Sequence, residues 1–203
     1  MKTGNIIFCL LASLFFCFNL TATRAQNTAM ARQLLAKGEK LAEQREFDRA
    51  LQHFNQALQL QDNLPEAYLA RATCHEQLNN YKLAIQDYLL VKRLQPNSYE
   101  ARFSLAHVYA LVKRYPEAIE EYTSLLEIPF TETRAVFFRQ KMHRETKLAG
   151  ATGIFTLESS QAEIYHNRGR AWAALKSYEN ALKDYEAAIA RDAPVTIYEV
   201  HLG

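Results

Sequence analysis

From about residue 31 onward, apolar side chains recur along the chain in steps of three and four. Ala84, Ile85, Tyr88, Leu89 and Val91 are one such run, and this is the period of an amphipathic α-helix. A longer period lies over it. Ala50, Ala84 and Ala118 stand 34 residues apart, each followed four positions later by Phe54, Tyr88 or Tyr122 and preceded three positions earlier by Phe47, Tyr81 or Tyr115. Twelve residues before each alanine is a small residue, Gly38, Ala72 or Ala106, and three beyond that is Leu41, His75 or Tyr109. The phrase NYKLAIQDY at 80–88 returns as SYENALKDY at 177–185, and with Gly169, Trp172, Tyr178, Ala181, Tyr185 and Ala188 it fills the same columns. Its displacement of 97 residues is two periods with 29 left over. The pattern predicts four repeats at about 31–64, 65–98, 99–130 and 162–195, an insertion at 131–160 and a tail at 196–203.

Each repeat contains two helices, and the small residues mark where the first approaches the second closely, beside the alanines of the 50/84/118/181 column. Pro65 and Pro116 fall where first turns begin, while Pro96, Pro129 and Pro194 fall where second helices end. Ser160 with Glu163 reads as a capping box opening the last repeat. Within the insertion, the β-branched and aromatic stretches Thr133–Arg139 and Gly153–Leu157 favour a β-hairpin over an extension of the preceding helix ending near Leu148. Arg71 with Asp87, and Arg168 with Asp184, share a separation of 16 and equivalent columns, which predicts an ion pair between the two helices of a repeat.

These columns resemble the tetratricopeptide repeat family, a 34-residue helix–turn–helix unit. The resemblance implies an all-α fold, an α-solenoid whose repeats wind into a superhelix with first helices lining a concave face. Carried over by position, the face lining a partner-binding groove comprises Arg32, Leu35 and Glu39 in the first repeat and Leu69, Thr73 and Glu76 in the second. It continues with Phe103 and His107 in the third and His166, Asn167 and Arg170 in the fourth. The carboxylate clamp that some relatives use on peptide C-termini is missing, because its positions hold Leu35, Glu39, Ala70, Glu100 and Ser104. The implied partner is a protein or peptide segment, and chaperone C-terminal tails are not implied.

Composition narrows the function classes. Lys2, the apolar run Ile6–Leu20 and the small residues ending at Ala25 read as an export signal cleaved after Ala25, giving a periplasmic or secreted protein; the run is short for a membrane span, and retention as an anchor is the alternative. Without residues 1–25 the chain has 22 basic and 22 acidic side chains, which lacks the positive footprint of nucleic-acid binding. No membrane insertion of the mature chain is expected. Cys74 is then the only cysteine, so no internal disulfide is available. Cys74 and His75 are helix neighbours that point about 100° apart and cannot act as a nucleophile–base pair. Both read as packing residues, and the scattered histidines show no metal-ligand spacing. The expectation is a non-catalytic scaffold of the cell envelope, without cofactor or metal. The rival expectation is a structural subunit of an envelope assembly, associating through the insertion and through a C-terminal end that lacks a capping helix, with self-association through that end as one outcome.

Overall fold

The computed structural model describes residues 24–127 and 157–192, without the side chains of 157–160 and 192. Every described element is an α-helix. In chain order these are α1 (24–43), α2 (Phe47–Leu60), α3 (Pro65–Gln77), α4 (Tyr81–Leu94), α5 (Tyr99–Leu111), α6 (Tyr115–Glu127), α7 (Leu157–Ala174) and α8 (Tyr178–Asp192). The expected leader, hairpin and tail lie outside the described residues, except that residues 24 and 25 form the start of α1 and residues 157–160 belong to α7. The capping-box expectation needs correction. Because α7 already begins at Leu157, Ser160 stands inside the helix; Leu157 and Glu158 are good helix formers and extend the helix back past the cap signal. For the same reason Leu157 opens a helix and does not end a strand.

The four turns between first and second helices share one backbone device. Arg45, Asn79, Lys113 and Lys176 all adopt left-handed conformation, with φ of 63°, 60°, 62° and 60°. At the first, the Arg45 N–H donates to the Ala42 carbonyl and the Glu46 N–H to the Leu41 carbonyl, both at 2.9 Å. The same two bonds recur at Asn79/Asn80, Lys113/Arg114 and Lys176/Ser177. This is the Schellman arrangement, which satisfies the last carbonyls of a helix while turning the chain sharply. Three of the four positions carry a long basic side chain where glycine would be unstrained.

The described chain falls into two compact units, one ending at Asn80 and one starting at Tyr81. In the first, α1, α2 and α3 enclose a core of Leu35, Ala50, Phe54, Ala57, Leu58, Leu64 and Cys74. Gly38 explains how α1 comes so near α2: a Cβ built on it would lie 2.5 Å from Cε1 of Phe54. Leu64 caps α3 as a buried residue, and Pro65 occupies the first helical position, where its missing N–H costs nothing.

In the second unit, α5 packs on α4 and α6, and α7 packs on α6 and α8. Its core is Tyr88, Val91, Leu105, Val108, Tyr122, Leu125 and Ile164, all almost fully buried. Gly169 repeats the role of Gly38, since its Cβ would lie 2.8 Å from Cε1 of Tyr185 and 3.3 Å from the Ala181 carbonyl oxygen. The small-residue column therefore makes room chiefly for the aromatic that follows the alanine by four, and less for the alanine itself. At the start of α5, the Ala101 N–H donates to Ser98 Oγ, a side-chain N-cap.

Candidate functional site

Of the groove positions in the first unit, Arg32 and Glu39 on α1 are exposed, and Leu69, Thr73 and Glu76 on α3 are half-buried. Thr73 Oγ1 donates to the Leu69 carbonyl at 3.0 Å, one turn back on its own helix. Leu35 departs from expectation: at 9% exposure it belongs to the core with Phe54. Burial raises the Glu39 carboxyl above the usual carboxylate range, and the charges of Glu43 on α1 and Glu66 on α3 raise it further. Glu39, Glu43 and Glu66 are all exposed, and their like charges give this unit a negative rim.

The second unit places His107 and Arg170 in solvent and His166 and Asn167 half-buried. Phe103 is the second departure. It is 4% exposed, its ring set edge-on to Tyr122 at 6.1 Å and stacked near Tyr99 at 6.3 Å. A large apolar side chain at such a position turns inward because burying it outweighs offering it to water, so Leu35 and Phe103 support the face from beneath. His166 leans on the Tyr185 ring at 5.8 Å, and burial, helped by the Arg170 charge, lowers its pKa. It is held towards the neutral form, able to accept or donate one hydrogen bond at the face.

The polar network under the face was only partly foreseen. Arg168 meets Asp184 in a two-pronged pair, Nε to Oδ2 at 2.8 Å and Nη2 to Oδ1 at 2.7 Å, as the 16-residue spacing predicts. Its Nη1 also donates to Thr123 Oγ1 of α6 at 3.0 Å. Tyr165 lies beneath two guanidinium groups, Arg168 at 5.4 Å and Arg191 at 4.5 Å. In the first unit Arg71 donates to Asn55 Oδ1 at 2.7 Å and stands over Tyr68 at 5.4 Å. The third repeat has Leu105 where an arginine would stand, yet the buried Glu121 is not abandoned. Arg102, one turn earlier on α5, donates Nη1 to Glu121 Oε2 at 3.0 Å, and Lys92 of α4 holds the other oxygen. Arg102 takes the column of Tyr68 and Tyr165, and that displaced arginine was the available signal.

Chemistry is confined by the same geometry. Cys74 is buried in the first core, and burial pushes its thiol pKa up to about 11, so it stays protonated and unreactive at neutral pH. Among the described residues no group of three His, Cys, Asp or Glu side chains could hold a metal ion. No described helix is long and apolar enough to cross a membrane.

Comparison with known proteins agrees with the architecture. Two stretches, residues 35–99 and 162–194, match models of the tetratricopeptide repeat. No curated protein matches the chain. Among solved structures, a crystal structure of MamA protein superposes with a TM-score of 0.63 at 15% identity, covering 86% of this chain and 81% of that one. MamA from Desulfovibrio magneticus RS-1 gives 0.61 at 16% identity, with 80% and 76% covered. A structure of MamA AMB-1 gives 0.61 at 13% identity, with 89% and 95% covered. At these identities the likeness establishes the fold. The described residues form an all-α fold of the α-solenoid class, and the stretches 35–99 and 162–194 are similar to the tetratricopeptide repeat.

Proposed function

We propose that this chain is a non-catalytic scaffold that holds a protein or peptide segment against its first helices. One observation carries the reading: the first helices bury one stripe in each core and leave another stripe of mixed charge accessible. Glu39, Thr73 and Glu76 make up that stripe in one unit, and His107, Asn167 and Arg170 in the other. Helices joined by short turns and tied down by the Arg168–Asp184 and Arg102–Glu121 pairs present these groups on rigid backbone, which lowers the ordering cost of binding. The acidic rim of Glu39, Glu43 and Glu66 suits a segment carrying Lys or Arg, and Arg170 suits one carrying a carboxylate.

The place of action in this proposal is the cell envelope, reached by export. Lys2, the apolar run Ile6–Leu20 and the small residues before Gln26 support it. Fractionation and N-terminal sequencing of the protein from its own cells test it; a mature chain beginning at Gln26 is expected, and an intact Met1 in the cytosolic fraction overturns it.

Photo-crosslinking tests the surface. A photoreactive residue at Glu76 or Arg170 is expected to capture one discrete protein from the envelope fraction, whereas the exposed second-helix positions Gln52 and Lys82 capture none. Adducts confined to Gln52 and Lys82, or absent from all four positions, overturn the reading. The rival role, a structural subunit of an assembly, draws support from a different surface, the outer face of α8.

A further inference from the structure

The last described helix, α8, exposes an apolar stripe whose counterpart in α6 is covered. Tyr178, Leu182 and Ile189 are 66%, 58% and 53% exposed, and with Glu186 they lie on one face of α8 at helical spacing. Shifted by 63 residues, the same columns in α6 are Tyr115, Ile119, Thr123 and Leu126, of which Ile119 is 8% exposed. That side of α6 is where α7 packs. The contact is marked atomically by Arg168, which reaches across to Thr123 Oγ1 at 3.0 Å. Ile164 and Ala171, one turn either side of Arg168, are buried on the same face.

We propose that the outer face of α8 receives α1 of a second copy of this chain, repeating the α6–α7 junction between molecules. In the columns of Gln161, Ile164, Arg168 and Ala171, α1 carries Met30, Gln33, Lys37 and Lys40, all four exposed. The Arg168–Thr123 contact then becomes Lys37 of one copy opposite Glu186 of the other, an ion pair at the very columns where the parent junction has its hydrogen bond. Met30, at 54% exposure, and the methylene stems of Lys37 and Lys40 cover Leu182 and Ile189 while the ammonium groups reach water and Glu186. Self-pairing of two α8 helices is the poorer solution. An antiparallel pair centred on Leu182 sets Glu186 of each copy against Tyr178 of the other, where no opposite charge meets the carboxylate as it loses water. The contact is head-to-tail, so each copy offers one donor and one acceptor face. It uses α8 and a side of α1 other than that of Glu39, and leaves Arg170 on α7 untouched, so it stands or falls separately from the groove.

Sedimentation velocity over a dilution series, on the protein as purified from its cells, tests the proposal. The mass is expected to rise with concentration from one chain to multiples. Leu182→Asp is expected to weaken association by about tenfold or more, because it places a charge where an apolar side chain would be buried. Glu186→Lys and Lys37→Glu each weaken it by a few-fold, and the double variant recovers it through the reversed pair. Circular dichroism checks that each variant keeps its helix content, which is expected because all these positions face solvent in the single chain. A single-chain mass at every concentration overturns the proposal, and so does association that Lys37→Glu leaves untouched. Glu76→Ala and Arg170→Ala are expected to leave the association unchanged, so loss of partner capture without loss of self-association isolates a failure of the groove reading.

Discussion

Replacing Gly38 by alanine separates packing from helix propensity, because the two predict opposite signs. In a free helix interior the change is stabilising, by about 1 kcal/mol. Here the added Cβ would lie 2.5, 2.8 and 3.0 Å from Cε1, Cδ1 and Cζ of Phe54, where carbon atoms prefer about 3.5–4.0 Å. Phe54 is fully buried, so its ring has no solvent to swing into and must move by about 1 Å against Leu35, Ala57 and Leu58. Overpacking of this kind costs about 1–3 kcal/mol, and after the propensity gain a net loss of about 1 kcal/mol is expected. Urea unfolding followed by circular dichroism measures it. In the background of Phe54→Leu, where the ring is gone, Gly38→Ala is expected to become neutral or stabilising, giving a favourable coupling of about 1 kcal/mol or more. A Gly38→Ala protein that is more stable than the parent by about 1 kcal/mol refutes the close contact of α1 with α2.

Other consequences are equally measurable. Arg168→Leu leaves Asp184 buried without its partner and is expected to cost about 3–5 kcal/mol in unfolding, whereas Arg168→Leu with Asp184→Leu restores most of it; a double variant no better than the single contradicts this account of the pair. Lys113→Gly relieves a left-handed non-glycine position and is expected to raise stability by about 0.5–1 kcal/mol, with no gain from the same change at exposed Lys82 inside α4 as the control. Because the folded-state pKa of His166 lies below its unfolded value, the unfolded chain binds the proton first. Stability is therefore expected to fall as pH drops below about 6.5, and His166→Gln is expected to flatten that slope in urea titrations at pH 7 and pH 5; an unchanged slope contradicts a half-buried imidazole held towards its neutral form. Glu39 has the opposite sign. Its raised pKa means that its charged form opposes folding at neutral pH, so Glu39→Gln is expected to unfold at higher urea than the parent at pH 7 and to lose that advantage as pH falls through the carboxylate range.

Much of the scaffold was readable because packing in a repeat protein obliges equivalent positions to recur. The alanine and aromatic columns located the helices, and the small residue at 38 and 169 announced the close approach, although its partner proved to be an aromatic ring. The Arg168–Asp184 pair was readable because both members keep their columns. Glu121 was not, since its arginine had moved one turn along α5 to Arg102 and its second partner, Lys92, comes from the neighbouring repeat. A spacing rule sees neither substitution, but the rule that a buried carboxylate must be paired would have prompted the search. The left-handed turns were hidden for a different reason. Their residues, Arg45, Asn79, Lys113 and Lys176, recur at the repeat interval, but three of them are not types that advertise positive φ. At the face, position alone placed Leu35 and Phe103 in a groove, and side-chain chemistry moved them inward. Burial could have been inferred from their size and apolarity against the polar types at Glu39, Thr73 and Arg170.

The groove reading rests finally on whether the accessible first-helix side chains carry binding energy. Once the crosslinked partner is identified, titration of that partner against the parent chain, Glu76→Lys and Arg170→Glu by calorimetry measures this directly. Each variant is expected to retain the parent's urea midpoint, since both side chains lie outside the cores, and to bind about tenfold or more weakly through charge reversal at the interface. Unchanged affinity in both variants would contradict the account.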